Sequence, residues 1–319
     1  MTQSRSIEIE TRRDVPGVGT LYLARRRGDP GRQIEFIEAT DPGTPRSDKW
    51  ILMISTQFGC AVSCAMCDAG AAGYHGNLTL PELRDQILTV FDARPETAAG
   101  EVKKLKLHFA RMGEPSFNPE VLRCIEELGS EGRLPGLVPS ISSVAPSCRG
   151  TLDFFEELFR LKERWFSGGR FQLQFSVHST DEAARRALIP IRKWDLEDIA
   201  AVGRRWYREG DRRVTLNFAL SREAPCDPAI VARLFSPRSF LIKFTPIHPT
   251  ARADSSGLTA NWYQAPERIT SLTSELERRG YQVIVNAPWP EEILSHASCG
   301  QLARAAAEQP RPEAAAPAC

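Results

Sequence analysis

Three of the eight cysteines of this 319-residue chain are crowded into eight positions, Cys60-Ala-Val-Ser-Cys64-Ala-Met-Cys67. The spacing CxxxCxxC, inside a loop containing glycine and alanine, lets three thiolates reach three corners of one [4Fe-4S] cubane, because soft sulfur suits iron and a flexible loop can wrap a small object. The fourth iron is then left without a protein ligand, and an open coordination position separates catalytic from structural metal sites. The competing reading is a zinc knuckle, which needs a fourth ligand; His75 is the nearby histidine. Farther along, Gly113-Glu114-Pro115 offers backbone groups and a carboxylate. Alone it is an ordinary turn. It becomes informative only if the fold carries it to the same place as the cysteines.

That placement depends on the elements. From residue 50 onward, apolar runs of strand length alternate with helical patterns, the βαβ signature of a parallel sheet. Strands are expected at 51–55, 105–109, 139–142, 171–177, 214–219, 241–245 and 282–285. Helices are expected at 81–93, 119–130, 152–164, 196–208 and 265–279. The implied fold is α/β, a partial (β/α)6 barrel of the TIM type. Residues 1–49 form a small N-terminal β cap with short segments at 20–24 and 33–37, residues 50–304 form the barrel with a C-terminal loop around Cys299, and residues 305–319, rich in Ala, Pro and Glu, form a disordered tail. In such barrels function gathers at the C-terminal ends of strands. The cysteine loop follows the first barrel strand and Gly113-Glu114 follows the second, so both fall at that end.

Composition narrows the classes. Lys+Arg (41) and Asp+Glu (40) nearly cancel to a formal charge of +1, so no global positive field draws the chain onto a long polyanion. No stretch reaches the roughly 20 apolar residues of a membrane span, and the first residues are polar rather than signal-like. A cytoplasmic location is expected. The cysteine pattern is unlike a secreted disulfide scaffold.

Taken together, these residues resemble the RlmN/Cfr family of radical S-adenosylmethionine (SAM) methyltransferases, which modify an adenosine of ribosomal or transfer RNA. The resemblance runs from about residue 55 to residue 303. It is carried by Ser55-Thr-Gln-Phe-Gly-Cys60, by Gly73-Tyr-His-Gly-Asn77-Leu-Thr79, by Arg111-Met-Gly113-Glu114-Pro115, by Phe175-Ser176-Val-His178 followed by Leu188-Ile-Pro190, by Thr245-Pro-Ile-His248-Pro249, and by Ala297-Ser-Cys299-Gly300-Gln301-Leu302-Ala303. The family implies a cluster on Cys60, Cys64 and Cys67 whose open iron chelates the methionine part of SAM. It also implies SAM contacts at Gly113, Glu114, Ser142, Ser176, His178, His248 and Met66, and a methyl-carrying role for Cys299. An external one-electron reductant such as flavodoxin or ferredoxin completes the set.

The departures are equally informative. The family's second cysteine, seven residues ahead of the first cluster cysteine, resolves a protein–substrate crosslink; here the position is Met53, whose thioether cannot attack as a thiolate. The helical RNA-binding extension of the family is also missing from the 59 residues that precede Cys60. These features point to a small substrate, a nucleoside or nucleotide in natural-product biosynthesis, with RNA modification as the alternative and a non-catalytic iron–sulfur protein as a third. Two roles for Cys299 stay open: a methyl carrier with a new release route, or a sulfur-handling residue that ligates a second cluster or holds a sulfur for insertion, as in some antibiotic pathways. Cys124 and Cys226 read as structural thiols, Cys148, just beyond Ser142-Ser143 at the catalytic end, as a buried thiol or a site residue with the buried thiol favoured, Cys319 as a tail residue, and Arg185 and Arg186 as a solvated helix face.

Overall fold

The computed structural model describes residues 4–39, 41, 43–221, 224–258, 266–286 and 300–308. Their sheet has ten strands in the order β1 (Ile7–Val15), β2 (Gly19–Arg26), β3 (Asp29–Ala39), β4 (Trp50–Ile54), β7 (Leu105–Phe109), β8 (Leu137–Ser143), β9 (Gln172–Ser176), β10 (Val214–Leu220), β11 (Phe240–Pro246) and β12 (Val283–Val285). The first three pair antiparallel and join β4 antiparallel; from β4 to β12 every pairing is parallel. The described strands do not close into a ring, as a partial barrel requires. The cap is therefore continuous with the barrel sheet rather than a separate layer. A short hairpin, β5 (Gln57–Gly59) with β6 (Tyr74–Asn77), brackets the cysteine loop.

Helices cover one face. The five expected ones are α1 (Leu80–Asp92), α2 (Glu120–Glu131), α3 (Thr151–Trp165), α5 (Leu196–Trp206) and α8 (Pro266–Arg278). The start of α1 follows from its sequence: Thr79 and Glu82 form a reciprocal capping box, and Pro81 lies in the first turn, where its missing N–H costs nothing. Asp195 caps α5 by accepting from the Asp198 amide. Shorter helices were not anticipated: α4 (Glu182–Leu188), α6 (Pro228–Leu234), α7 (Ala251–Ser255) and α9 (Gln301–Glu308). The last of these corrects the expected tail boundary, because the helix runs four residues past 304; residues 309–319 lie outside the described residues.

The main core lies between sheet and helices and holds Trp50, Leu52 and Ile54 of β4, Leu105, Leu107 and Phe109 of β7, and the equivalent alternate residues of the later strands. Their neighbours in sequence point to the other face, the barrel interior. In β4 and β9 the pattern is a strict alternation of buried and half-buried residues.

Candidate active site

The cysteine loop is fastened from several sides. The Thr56 amide donates to Met112 O at 2.7 Å, the Cys60 amide to Gly73 O at 3.2 Å, and the Ala65 amide to Leu188 O at 2.9 Å. Cys60, Cys64 and Met66 pack against a buried apolar group that includes Val62, Val144, Leu188 and Ile189. Burial pushes the Cys60 thiol up, while the backbone amides of Val62, Ser63 and Gly113, aimed at its sulfur, draw it back. Cys64 is raised further, first by burial and then by the neighbouring Cys60 and Glu114. The thiols must shed protons to bind metal, and the amides pointing at sulfur stabilise the thiolate that results.

Among the described residues no three His, Cys, Asp or Glu side chains converge on one point as ligands of a single ion do. In a cubane each thiolate binds its own iron, so a wider spread of sulfurs suits a cluster. His75 is exposed, and its Nε2 bonds Ala72 O at 2.7 Å rather than turning to the thiols, which argues against the zinc knuckle. The apolar surround and the amides aimed at sulfur fit an iron–sulfur group.

Gly113 sits at the rim of the loop with φ +99°. A Cβ there would lie 2.5 Å from Gln57 Cγ, so only glycine brings this amide to the Cys60 sulfur. Glu114 is buried: Oε1 accepts from the Ser116 amide (3.1 Å) and hydroxyl (2.8 Å), and Oε2 from the Val144 amide (2.9 Å). Burial raises its pKa, and the hydrogen bonds from Ser143, Val144 and Ser116 oppose that rise. Ser176 ends β9. His178 follows with φ +63°, and its Nδ1 accepts from the Ala219 amide at 3.1 Å. Burial, aided by Arg185, pushes His178 down to about 4, so at neutral pH the ring is uncharged and Nε2 carries the proton. Met66 presents its carbonyl to Thr250 Oγ1 at 2.9 Å, and His248 is half-buried two residues before that threonine. Ser142 Oγ lies between His108 Nε2 (2.7 Å) and Gln174 Nε2 (2.9 Å).

Cys299 lies outside the described residues, which resume at Gly300. With φ +87° it is pressed against the backbone just after Cys67, where a Cβ would lie 2.0 Å from Ala69 N. What holds it is Glu35, which the sequence reading missed. Its buried carboxylate accepts from the amides of Gly300 (2.5 Å), Leu302 (3.1 Å) and Ala303 (3.2 Å) and pairs with Arg111 Nη2 at 2.8 Å. A carboxylate at the first turn of α9 meets both its unpaired N–H groups and its dipole. Asp68 does the parallel job from the cysteine loop, accepting from the Arg252 amide (3.0 Å) and Arg304 Nη1 (3.3 Å). Met53 packs with Leu302, Ala303 and Ile37, so the position of the family's resolving cysteine adjoins the helix that follows Cys299.

Two of the remaining candidates depart from expectation: Arg185 proves buried and Cys148 exposed. Arg185 is buried rather than solvated, pairing with Glu182 at 2.8 Å and donating to Trp194 O at 3.0 Å. Cys124 is buried, and Cys148 is exposed with its sulfur 3.1 Å from Thr151 Oγ1.

No family model matches the chain. Relatives were found by sequence. A probable dual-specificity RNA methyltransferase RlmN from Synechococcus sp. (strain RCC307) is 27% identical over 307 residues, covering 94% of this chain and 80% of the relative. One from Desulfitobacterium hafniense (strain Y51) is 29% identical over 304 residues, 92% of this chain and 78% of the relative. The chain is a homologue of the RlmN radical SAM methyltransferases. The RlmN of Sorangium cellulosum is 30% identical over 253 residues, 78% of this chain and 60% of that protein. The RlmN-like chain also shares its fold with a radical SAM methyltransferase from Sphaerobacter thermophilus, at TM-score 0.69 and 23% identity, covering 93% of this chain and 81% of that one. No helix among the described residues is long and apolar enough to cross a membrane.

Proposed function

We propose that this chain transfers a methyl group from SAM, by way of Cys299, to a carbon of an adenine base. RNA is the substrate class that the names of its relatives favour, over the free nucleoside that composition and Met53 pointed to. The observation that carries the reading is the seating of Gly300, the residue after Cys299 in sequence, on Asp68–Ala69 of the loop that would hold the cluster. A remote structural cysteine would not need a buried carboxylate and a buried arginine to anchor its neighbour.

Bound to Cys60, Cys64 and Cys67, the cluster would supply the electron for reductive cleavage of SAM. The chain's own part is to exclude water with the apolar group around Val62 and Val144, to hold the Cys60 thiolate with the Gly113 amide, and to offer the His178 Nε2–H to the ligand. In the transfer itself, the Cys299 thiol loses its proton and its sulfur takes the methyl carbon, with S-adenosylhomocysteine leaving. Beside Gly300 an open cavity of about 500 Å³, bordered by Gln33, Asp68, Met112 and Arg304, gives a base room to approach. Methyl transfer is preferred to sulfur insertion because the relatives are named methyltransferases; with Met53 in place of the resolving cysteine, release from Cys299 needs a thiolate from outside this position.

The test is anaerobic incubation of the reconstituted enzyme with SAM, a one-electron reductant and transfer or ribosomal RNA. Mass analysis should then find a methyl group on the Cys299 peptide and methyladenosine in digested RNA, both lost in Cys299→Ala. Methylation at normal rate by Cys299→Ala would overturn it.

A further inference from the structure

The cysteine loop is fastened to the segment that follows β11. Thr250 Oγ1 donates to Met66 O at 2.9 Å, Arg252 Nη2 to Ser63 O at 3.2 Å and Ser256 Oγ to Ala65 O at 3.1 Å. Asp68 returns the contact, taking the Arg252 amide on Oδ1 at 3.0 Å. These bonds reach the carbonyls on either side of Cys64 and the one before Cys67, so α7 and its flanks hold the loop where two of its three cysteines lie. Hydroxyl groups suffice for such fastening. Arg252 brings something more, a permanent positive charge.

That charge lies beside Cys64. Nη2 bonds the carbonyl of the preceding residue, and while burial, then Cys60 and Glu114, raise the Cys64 thiol, Arg252 is among the groups that oppose the rise. The Nε of Arg252 is buried without an acceptor among the described residues. Asp68 does not supply one, since its carboxylate takes the backbone amides of Ala251 and Arg252 and Nη1 of Arg304. A buried donor without an acceptor costs free energy, and a redox or catalytic role is one reason for a native structure to keep it. Cysteine sulfurs and the sulfides of an iron–sulfur group are acceptors of the kind this donor lacks. Hydrogen bonds to those sulfurs and the net charge around them are two of the levers that set a cluster's reduction potential. Reduction adds one electron to a site that already carries the thiolates of Cys60, Cys64 and Cys67, so a cation held there in partly buried surroundings stabilises the reduced form more than the oxidised one.

We propose that the Arg252 guanidinium tunes the cluster, raising its reduction potential so that a one-electron reductant of the flavodoxin or ferredoxin class can deliver the electron that SAM cleavage consumes. The inference rests on the cluster reading above and deepens it. Arg252 acts on the cluster and takes no part in holding the substrate.

The test is a redox titration, followed by EPR, of the full chain carrying its cluster and no SAM. Arg252→Gln should shift the one-electron reduction equilibrium about tenfold or more toward the oxidised form, a midpoint lower by about 59 mV or more. Arg252→Lys, which keeps the charge, should recover at least half of that shift. A second measurement needs no variant: with arginine labelled by nitrogen-15 in its side chain, pulsed EPR of the reduced wild type should show a nitrogen-15 coupling to the cluster spin. An equilibrium in Arg252→Gln within about twofold of the wild type, or the absence of that coupling, would overturn the inference. So would an unmoved midpoint with weakened SAM binding, which would place Arg252 on the carboxylate of SAM instead. A wild type that takes up no iron–sulfur cluster would overturn the proposed function itself, whereas a loaded wild type with the midpoint of Arg252→Gln overturns only the role given to Arg252.

Discussion

Removing Arg111 should release the segment that carries Cys299 without touching any thiol. Arg111 and Glu35 have side chains only 3% and 1% exposed. Breaking such a pair from one side costs about 3–5 kcal/mol, because the remaining charge stays buried. Glu35 would keep its three amide donors at positions 300, 302 and 303, so the lower end, about 3 kcal/mol, is expected for Arg111→Met. Spent on local opening, that is on the order of a hundredfold faster hydrogen exchange at the Leu302 and Ala303 amides. Spent on global stability, it is a fall of about 6 °C in Tm for a chain of this size. Adding Glu35→Gln should restore more than half of the loss, since no lone charge is then buried. Hydrogen exchange with mass analysis, and a thermal melt of all three variants, measure both quantities. A single variant within about 1 °C of wild type and with unchanged exchange would refute the clamp.

Three further outcomes are expected. Gly300→Ala should lower methyl labelling of Cys299 by at least about tenfold in an anaerobic SAM assay, because its Cβ would strike the Ala69 backbone and a displaced carrier loses its aim. His178, with a pKa of about 4 against a usual 6.5, binds fewer protons folded than unfolded between those values, so stability rises with pH across that window. The loss on acidification amounts to about 3 kcal/mol by pH 4, and His178→Gln should flatten the Tm–pH slope there; a pKa above about 5.5 by NMR would contradict it. Met53→Cys should speed release of product from Cys299 under turnover, read as fewer protein–substrate adducts by gel, because a thiolate then adjoins α9; unchanged adduct levels would count against that placement.

The proposed cluster loop was legible because its candidate ligands are local: three cysteines within eight residues, a strand before them and a βα alternation after. Helix starts such as Thr79-Leu-Pro-Glu82 were equally open to reading. The Glu35–Arg111–Gly300 clamp was not, since it joins β3, the turn after β7 and α9 across 265 residues, and no local pattern marks a buried glutamate whose partners are distant amides. Pro139 misled in another way. A strand expected to begin at the proline begins at Leu137, and the proline is accommodated because pairing with β9 starts only at Ser140. The inward polar rows in β7 and β9 were visible as alternation, yet their meaning depended on knowing which face the helices cover. Short helices of seven residues or fewer, α4, α6 and α7, carry too little periodicity to separate from loops.

The central claim is radical SAM chemistry launched from Cys60, Cys64 and Cys67, and it is tested most directly by quantifying 5′-deoxyadenosine. The anaerobically reconstituted wild type, given SAM and dithionite, should form it together with the brown iron–sulfur chromophore, while the variant with all three cysteines replaced by alanine should show neither. Cleavage of SAM to 5′-deoxyadenosine by that triple variant at the wild-type rate would contradict the account.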